Sequence, residues 1–281
     1  MSAMERAFNR NHEMKPEDHP FFSIITASFN SAATLAMTLD SVQYQTFTHH
    51  EHIVIDGGST DGTLDVLKCY EGLYPLRWIS EPDRGIAHAL NKAFTRSTGR
   101  YLFVLQADDT LLDSAVLDGV NQLIRGERYD ICSFQVIREH HGSPPFRYLP
   151  IRLPEWYHFK HTIPHQGAFV HRRLYERIGG FREQFSIAMD YDFFYRAFKA
   201  RAKIRYFHQP VSRMGGYGIS SRRQVMLKRL EEEKQVQNIN EKNLIWRIAQ
   251  KAFRLLYIPY KTRCLRWQKQ MCARVEPPSP S

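Results

Sequence analysis

The stretch Tyr101–Thr110, Y-L-F-V-L-Q-A-D-D-T, decides the fold. A bulky, β-prone run from Tyr101 to Leu105 stops abruptly at two adjacent carboxylates, Asp108 and Asp109. An apolar run without polar alternation reads as a strand buried on both faces, as in a parallel sheet covered by helices. The carboxyl ends of such strands are where open α/β sheets place their ligands. Two neighbouring acids repel each other unless a cation lies between them, and hard divalent cations prefer oxygen ligands. The pair therefore reads as a site for Mg²⁺ or Mn²⁺ carrying a phosphorylated substrate. A helix N-cap is the competing reading, because Asp109-Thr110 precedes a helical pattern from Leu111.

Outward from this strand, strand-like and helix-like segments alternate from Phe21 to about Gly126. Strands are expected over Phe21–Ala27, Glu51–Ile55, Leu76–Ser80 and Arg100–Leu105. Helices are expected over Ser31–Gln45, capped by Asn30 or Ser31, over Asp61–Tyr70 and Gly85–Arg96, and after the acidic pair to Ile124. This rhythm predicts an α/β fold with a mainly parallel central sheet flanked by helices. Further on come a strand over Tyr129–Arg138, a loop or hairpin over His140–Pro145 and a short helix ending at Gly179-Gly180. M-D-Y-D-F-F-Y-R-A (Met189–Ala197) opens a helical pattern, a last strand covers Lys203–Phe207, and Met214–Gly218 is Gly-rich. From Ser221 to about Arg274 the pattern is long, helical and basic, with a disordered tip at Pro277–Ser281. Three segments are expected: residues 1–20 as a flexible lead, 21–215 as the principal domain, and 216–281 as a basic helical extension.

Four successive strands end in residues that suit a nucleotide. The first ends in T-A-S-F-N (Thr26–Asn30), the second in Asp56, the third in E-P-D-R-G (Glu81–Gly85) and the fourth in Asp108-Asp109. Each alone is ordinary turn chemistry; together on one sheet edge they describe a groove lined with carboxylates, a guanidinium and backbone. Asp56 can accept N–H groups of a base, and Arg84 offers a cationic fork for base or phosphate. No P-loop and no G-x-G-x-x-G follows the first strand, which argues against an ATPase and a dinucleotide-dependent oxidoreductase.

The order S-I-I-T-A-S-F-N, I-V-I-D-G-G-S-T-D-G-T, S-E-P-D-R-G-I-A-H-A-L-N-K-A and Y-L-F-V-L-Q-A-D-D-T resembles family 2 glycosyltransferases. The likeness covers roughly Phe21–Phe207 and is strongest to bacterial members that build exopolysaccharide, colanic acid or O-antigen. It implies a GT-A fold and an inverting transfer from a nucleotide-diphospho-sugar. It also implies that Thr26 and Asp56 hold the base, with Asn30 and Arg84 beside them, that Asp108 contacts the ribose, and that Asp109 binds Mn²⁺ or Mg²⁺. Two departures stand out: Gln106 where relatives often carry an acid, and His88-Ala89-Leu90-Asn91 where many read D-A-x-N.

Transfer to a sugar hydroxyl needs a base, and the resemblance maps that role to Asp190, with Met189 replacing a common Glu. A carboxylate base is worth typically ~10²–10⁴-fold. Helix capping is the competing reading for Asp190 and the favoured one for Asp192. His165-Gln166 matches a pair that in relatives meets acceptor or donor sugar. Arg196 suits an i,i+4 ion pair with Asp192 as well as it suits a phosphate. A polyprenyl-phosphate glycosyltransferase, or a sugar-nucleotide-binding subunit without chemistry, would carry the same nucleotide motifs.

The chain has 281 residues and a formal net charge of +10, and Ser221–Ser281 alone holds 14 Lys/Arg against 5 Asp/Glu. From Asn243 the tail reads as a basic amphipathic helix suited to an anionic membrane surface, with packing on the main domain as the alternative. No stretch approaches the ~20 apolar residues of a membrane span. Met1–Pro20 lacks a signal-peptide core. Cys69, Cys132, Cys264 and Cys272 have no metal-ligand spacing. The expectation is a cytoplasmic enzyme, peripheral at the inner face of the plasma membrane. Its partners would be a UDP-, GDP- or dTDP-sugar and a saccharide or lipid-linked acceptor, with no nucleic acid.

Overall fold

The computed structural model describes residues 19–140, 143–152, 154–215 and 223–273. The expected flexible lead up to residue 18, the Gly-rich segment beyond Gly215 and the C-terminal tip lie outside them.

The apolar runs form parallel strands. β1 (Phe22–Ser28), β2 (His50–Asp56), β3 (Leu76–Ser80) and β4 (Tyr101–Val104) pair in parallel in the order β3-β2-β1-β4. Every residue of β2 and β4 is buried, as a strand covered on both faces requires. Side-chain alternation splits β1 between two layers. Phe22 and Ile24 pack under α1 (Leu35–Gln43) and α4 (Val116–Ile124), while Val54 of β2 packs under α1 and α2 (Thr63–Tyr70). Ile25 faces the opposite layer of α3 (Ile86–Arg96), α5 (Arg172–Ile178) and α6 (Met189–Lys199). Each fully buried side chain of this size contributes about 1.5–3 kcal/mol.

Beyond β4 the sheet changes direction. β8 (Ala168–His171) lies antiparallel between β4 and β6 (Ile131–His140), and β9 (Ile204–Met214) runs parallel to β6. β7 (Ser143–Tyr148) pairs antiparallel with β6, and residues 141–142 of the expected loop or hairpin lie outside the described residues. The sequence offered no distinct signal for β8, because A-F-V-H is too short to show a period.

Two expectations change. The first helix begins at Leu35 rather than Ser31, because Asn30 and Ser31 are held by the next loop. The residues after the acidic pair are not a helix start: Thr110–Leu111 form β5, paired with β9, and α4 begins at Val116. The N-cap reading of Asp109 is thereby overturned. The basic helical extension consists of two helices, α7 (Arg223–Asn240) and α8 (Leu244–Ala273). Asn243 caps the second, its side chain accepting from the Ile245 and Trp246 N–H groups. Both helices pack on the sheet-bearing body. Buried Glu241 accepts from Tyr195 Oη, Lys199 Nζ and the Asn243 N–H, and Trp246 stacks on His158 at 3.9 Å. Burial pushes the Glu241 carboxyl up, but these donors prevail and hold its pKa at about 2.

Candidate active site

The loops after β1 and β2 are laced together. The Asn30, Ser31 and Ala32 N–H groups donate to Ser59 Oγ, Thr63 Oγ1 and Asp61 Oδ2, and Thr60 N–H donates to Asn30 Oδ1. This places Asn30 in the left-handed region at φ 49°, which Asn tolerates better than most residues. Asp56, with no exposed surface, accepts from the Gly58 and Ser59 N–H groups and from the Ser59 and Ser80 hydroxyls. It organises the floor of the groove, and a base N–H would have to displace one of these bonds. Asp83 crosses the same floor. A Cβ on Gly57 would lie 2.6 Å from Asp83 Oδ2, so a larger residue there would push the Asp83 side chain aside.

Thr26 sits behind the groove rather than in it. Its hydroxyl is fully buried and donates to the Leu105 carbonyl at 2.7 Å. Having one proton, it must accept from His52 Nε2 at 2.9 Å, which leaves His52 Nδ1 to accept from Tyr74 Oη at 2.8 Å. Burial, with His50 nearby, pushes the His52 pKa down to about 3, so this directed chain persists at neutral pH. Its side chain buttresses the strand end that carries the acids. Arg84 projects from the rim and pairs with Glu183 at 2.8 Å. Exposed ion pairs are worth little, so this guanidinium can exchange partners.

The acidic pair is different in kind. Asp109 is 1% exposed; its Oδ1 accepts from the Gly215 N–H at 3.0 Å, while its Oδ2 has no hydrogen-bond partner. Burial, and then repulsion by Asp108, push the Asp109 pKa up to about 7. Burial also raises that of Asp108. A carboxylate oxygen buried without a donor is rare and costly. Beside a second acid, it fits a hard cation. Among the described residues no three His, Cys, Asp or Glu side chains gather into a metal site. Substrate phosphate oxygens would therefore complete the shell, as is usual for Mg²⁺. Gly215 closes over the pair: a Cβ there would lie 2.4 Å from the Asp108 carbonyl oxygen.

Asp190 lies on the first turn of α6, and neither it nor Asp192 caps the helix. The backbone that leads into the helix is held from another part of the chain. Glu232 of α7 accepts from the Ser186, Ile187 and Ala188 N–H groups and from Ser186 Oγ. Asp192 is buried between Arg182 and Arg196, which confirms the i,i+4 pairing, and also accepts from Asn240. Asp190 instead faces His161. Its Oδ2 lies 3.4 Å from His161 Nε2, and its Oδ1 accepts from the Tyr191 N–H. Burial pushes the Asp190 carboxyl up, but His161, His165, Arg229 and the Tyr191 N–H pull it further down, below its ordinary value. Burial keeps both histidines largely neutral, His165 near pKa 4, so at neutral pH the pull comes chiefly from Arg229 and the backbone.

The His-Gln pair splits between the two halves. His165 packs against Phe181 and Phe194 within reach of Asp190, while the Gln166 side chain lies close enough to Asp109 to help hold its carboxyl down. Sequence reading missed His161, Arg229 and Glu232, for which no motif gave a signal. At the departure noted above, Asn91 exchanges two bonds with the Phe181 backbone and ties α3 to the loop before α6.

A mostly parallel sheet with an acid pair at its carboxyl edge, and a second carboxylate across the groove, defines a GT-A-like sugar-nucleotide transferase architecture. Residues 23–207 match the Glycosyl transferase family 2 profile, and the chain belongs to that family. A "PGL/p-HBAD biosynthesis glycosyltransferase" of Mycobacterium bovis is 34% identical over 203 residues, covering 71% of this chain and 78% of that protein. The "Putative teichuronic acid biosynthesis glycosyltransferase TuaG" of Bacillus subtilis is 40% identical over 92 residues, 32% of this chain and 36% of its own. The mannosyltransferase PcManGT of Pyrobaculum calidifontis, in complex with GDP-Man and Mn²⁺, superposes with a TM-score of 0.63 at 18% identity, over 98% of this chain and 81% of that one. TarS 1-349 of S. aureus, in complex with UDP-GlcNAc, gives a TM-score of 0.60 at 19% identity, over 77% and 70%. The last two likenesses bear on the fold.

Proposed function

We propose that this protein is an inverting, metal-dependent glycosyltransferase of hexosyl type, building a bacterial surface polysaccharide or glycolipid. The donor is a UDP-, GDP- or dTDP-sugar, and the acceptor a hydroxyl of a saccharide, carried on a lipid at the inner face of the plasma membrane. The observation that carries the reading is the buried Asp109 carboxylate beside Asp108, one oxygen of which has no hydrogen-bond partner. The names of the relatives and the sugar nucleotides bound by the structural neighbours support it.

Asp109, with Asp108 beside it, would hold Mn²⁺ or Mg²⁺. A cation there supplies Lewis-acid stabilisation of charge developing on the departing diphosphate. Asn30 and Asp56 shape the floor for the base and ribose, and Arg84 swings from Glu183 toward phosphate. Asp190 stays ionised and takes the acceptor hydroxyl proton as that oxygen bonds to the anomeric carbon and the bond to the nucleoside diphosphate breaks. One displacement of this kind inverts configuration.

Release of free sugar and nucleoside diphosphate from a donor panel, with and without Mn²⁺, tests the reading. Metal-dependent release from one donor, lost in Asp109→Ala, is expected. Donor binding without any turnover, even with acceptor present, would sink it.

A further inference from the structure

Helix α8 has two faces of opposite character. Trp246, Gln250, Phe253 and Arg254 hold it to the body: Trp246 stacks on His158, Gln250 donates to the His158 carbonyl, Phe253 packs on Trp156 and Phe159, and Arg254 bonds Gln237. At about 100° per residue these positions share one side. Leu244, Ile245, Ile248, Leu255 and Leu256 fall on roughly the opposite side and are 59–77% exposed. Arg247 and Lys251 border that apolar stripe on one edge, and both are exposed. Aliphatic side chains this open and contiguous mark an interaction surface rather than scatter.

We infer that this face of α8 docks on the interface of an anionic lipid bilayer. Over its thirty residues α8 contains seven Lys or Arg and no Asp or Glu. That balance selects a negatively charged surface over a protein groove. Five exposed aliphatics select lipid over nucleic acid, whose surface is phosphate. No helix among the described residues is long and apolar enough to cross a membrane, so the helix lies along the surface. The packed side of α8 also reaches the candidate site, for Tyr257 lies within electrostatic reach of Arg229, Glu233 and Tyr148, and Arg229 in turn acts on Asp190. A body seated on α8 would therefore present its base pocket close to the bilayer. The inference deepens the reading of a lipid-carried acceptor, yet its test reads binding, so each can fail without the other.

The test is vesicle flotation of the full chain on phosphatidylcholine with and without phosphatidylglycerol. Binding is expected only with the anionic lipid, falling as salt rises. Arg247→Glu/Lys251→Glu should weaken it at least about tenfold. Leu255→Asp/Leu256→Asp should abolish it. Both variants should keep the circular dichroism spectrum and donor-release rate of the wild type, since the changed residues face away from the body. Absence of wild-type binding, or equal binding by the variants, overturns the inference. So does a vesicle-free oligomer that Leu255→Asp/Leu256→Asp dissociates without any lipid effect, which would assign the face to a second copy.

Discussion

The two walls of the groove are built in different ways. The donor wall comes from four consecutive strand ends, between Thr26 and Asp109, and its loops are tied by short bonds to one another. The base wall gathers His161, His165, Asp190, Arg229 and Glu232, drawn from elements far apart in the chain. The first wall forms wherever the parallel strands pair. The second exists only once α7 has docked. Stability and chemistry are therefore separable on the donor side and coupled on the base side.

Changing Asp190→Asn should break the base wall alone, lowering transfer by ~10²–10⁴-fold while leaving donor affinity intact. Steady-state rates with acceptor, beside donor binding by calorimetry, check this. Full activity would instead favour a lipid-phosphate acceptor, which needs no strong base.

Asp109 sharpens the comparison through pH. Its folded pKa near 7 lies above the ordinary carboxyl value, so the metal-free folded state binds the proton more tightly than the unfolded chain. Its contribution is fully present below about pH 4 and is lost as pH rises toward 7, on the order of 4 kcal/mol in all. Asp109→Asn should therefore gain stability over the metal-free wild type across that window, and Mn²⁺ should close the gap only for the wild type. Denaturant melts at pH 4, 5.5 and 7 (about the window set by that shift) measure it. A stability difference independent of pH would contradict it.

Glu232→Gln tests the coupling itself. Loss of the charged acceptor at three N–H groups should cost about 1–3 kcal/mol and also lower kcat, because the turn that carries Asp190 loosens. Melts and kinetics on one preparation show whether the two fall together; unchanged kcat would show that the contact serves stability alone. The smallest effect is expected for Thr26→Val. It removes a buried bond to Leu105, costing about 1 kcal/mol, and leaves the donor KM unchanged. A raised KM with an unchanged melt would return Thr26 to the groove.

Most of the donor wall was legible in the residues. Runs such as Y-L-F-V-L have only one comfortable state, a strand buried on both faces, and the polar residues after them fall at the edge where parallel strands end. The strand over Leu76–Ser80 and the helix after Gly85 fall where the pattern puts them. Misreadings came where side chains had two good uses. Asn30 and Ser31 can cap a helix or hold a neighbouring loop, and the neighbouring loop was out of sight at that stage. Thr26 looks outward or inward with equal ease until its partner His52 is known.

By itself, then, the amino-acid order determined the sheet, its parallel core, the acid pair at its edge and the charge of the tail, because burial and turn chemistry act over a few residues. Tertiary structure alone decided that one oxygen of buried Asp109 has no donor, that Glu232 holds the backbone leading into α6, and that α8 keeps its aliphatic face in the open. Those outcomes depend on which distant groups meet once the helices dock, and no spacing along the chain encodes such a meeting.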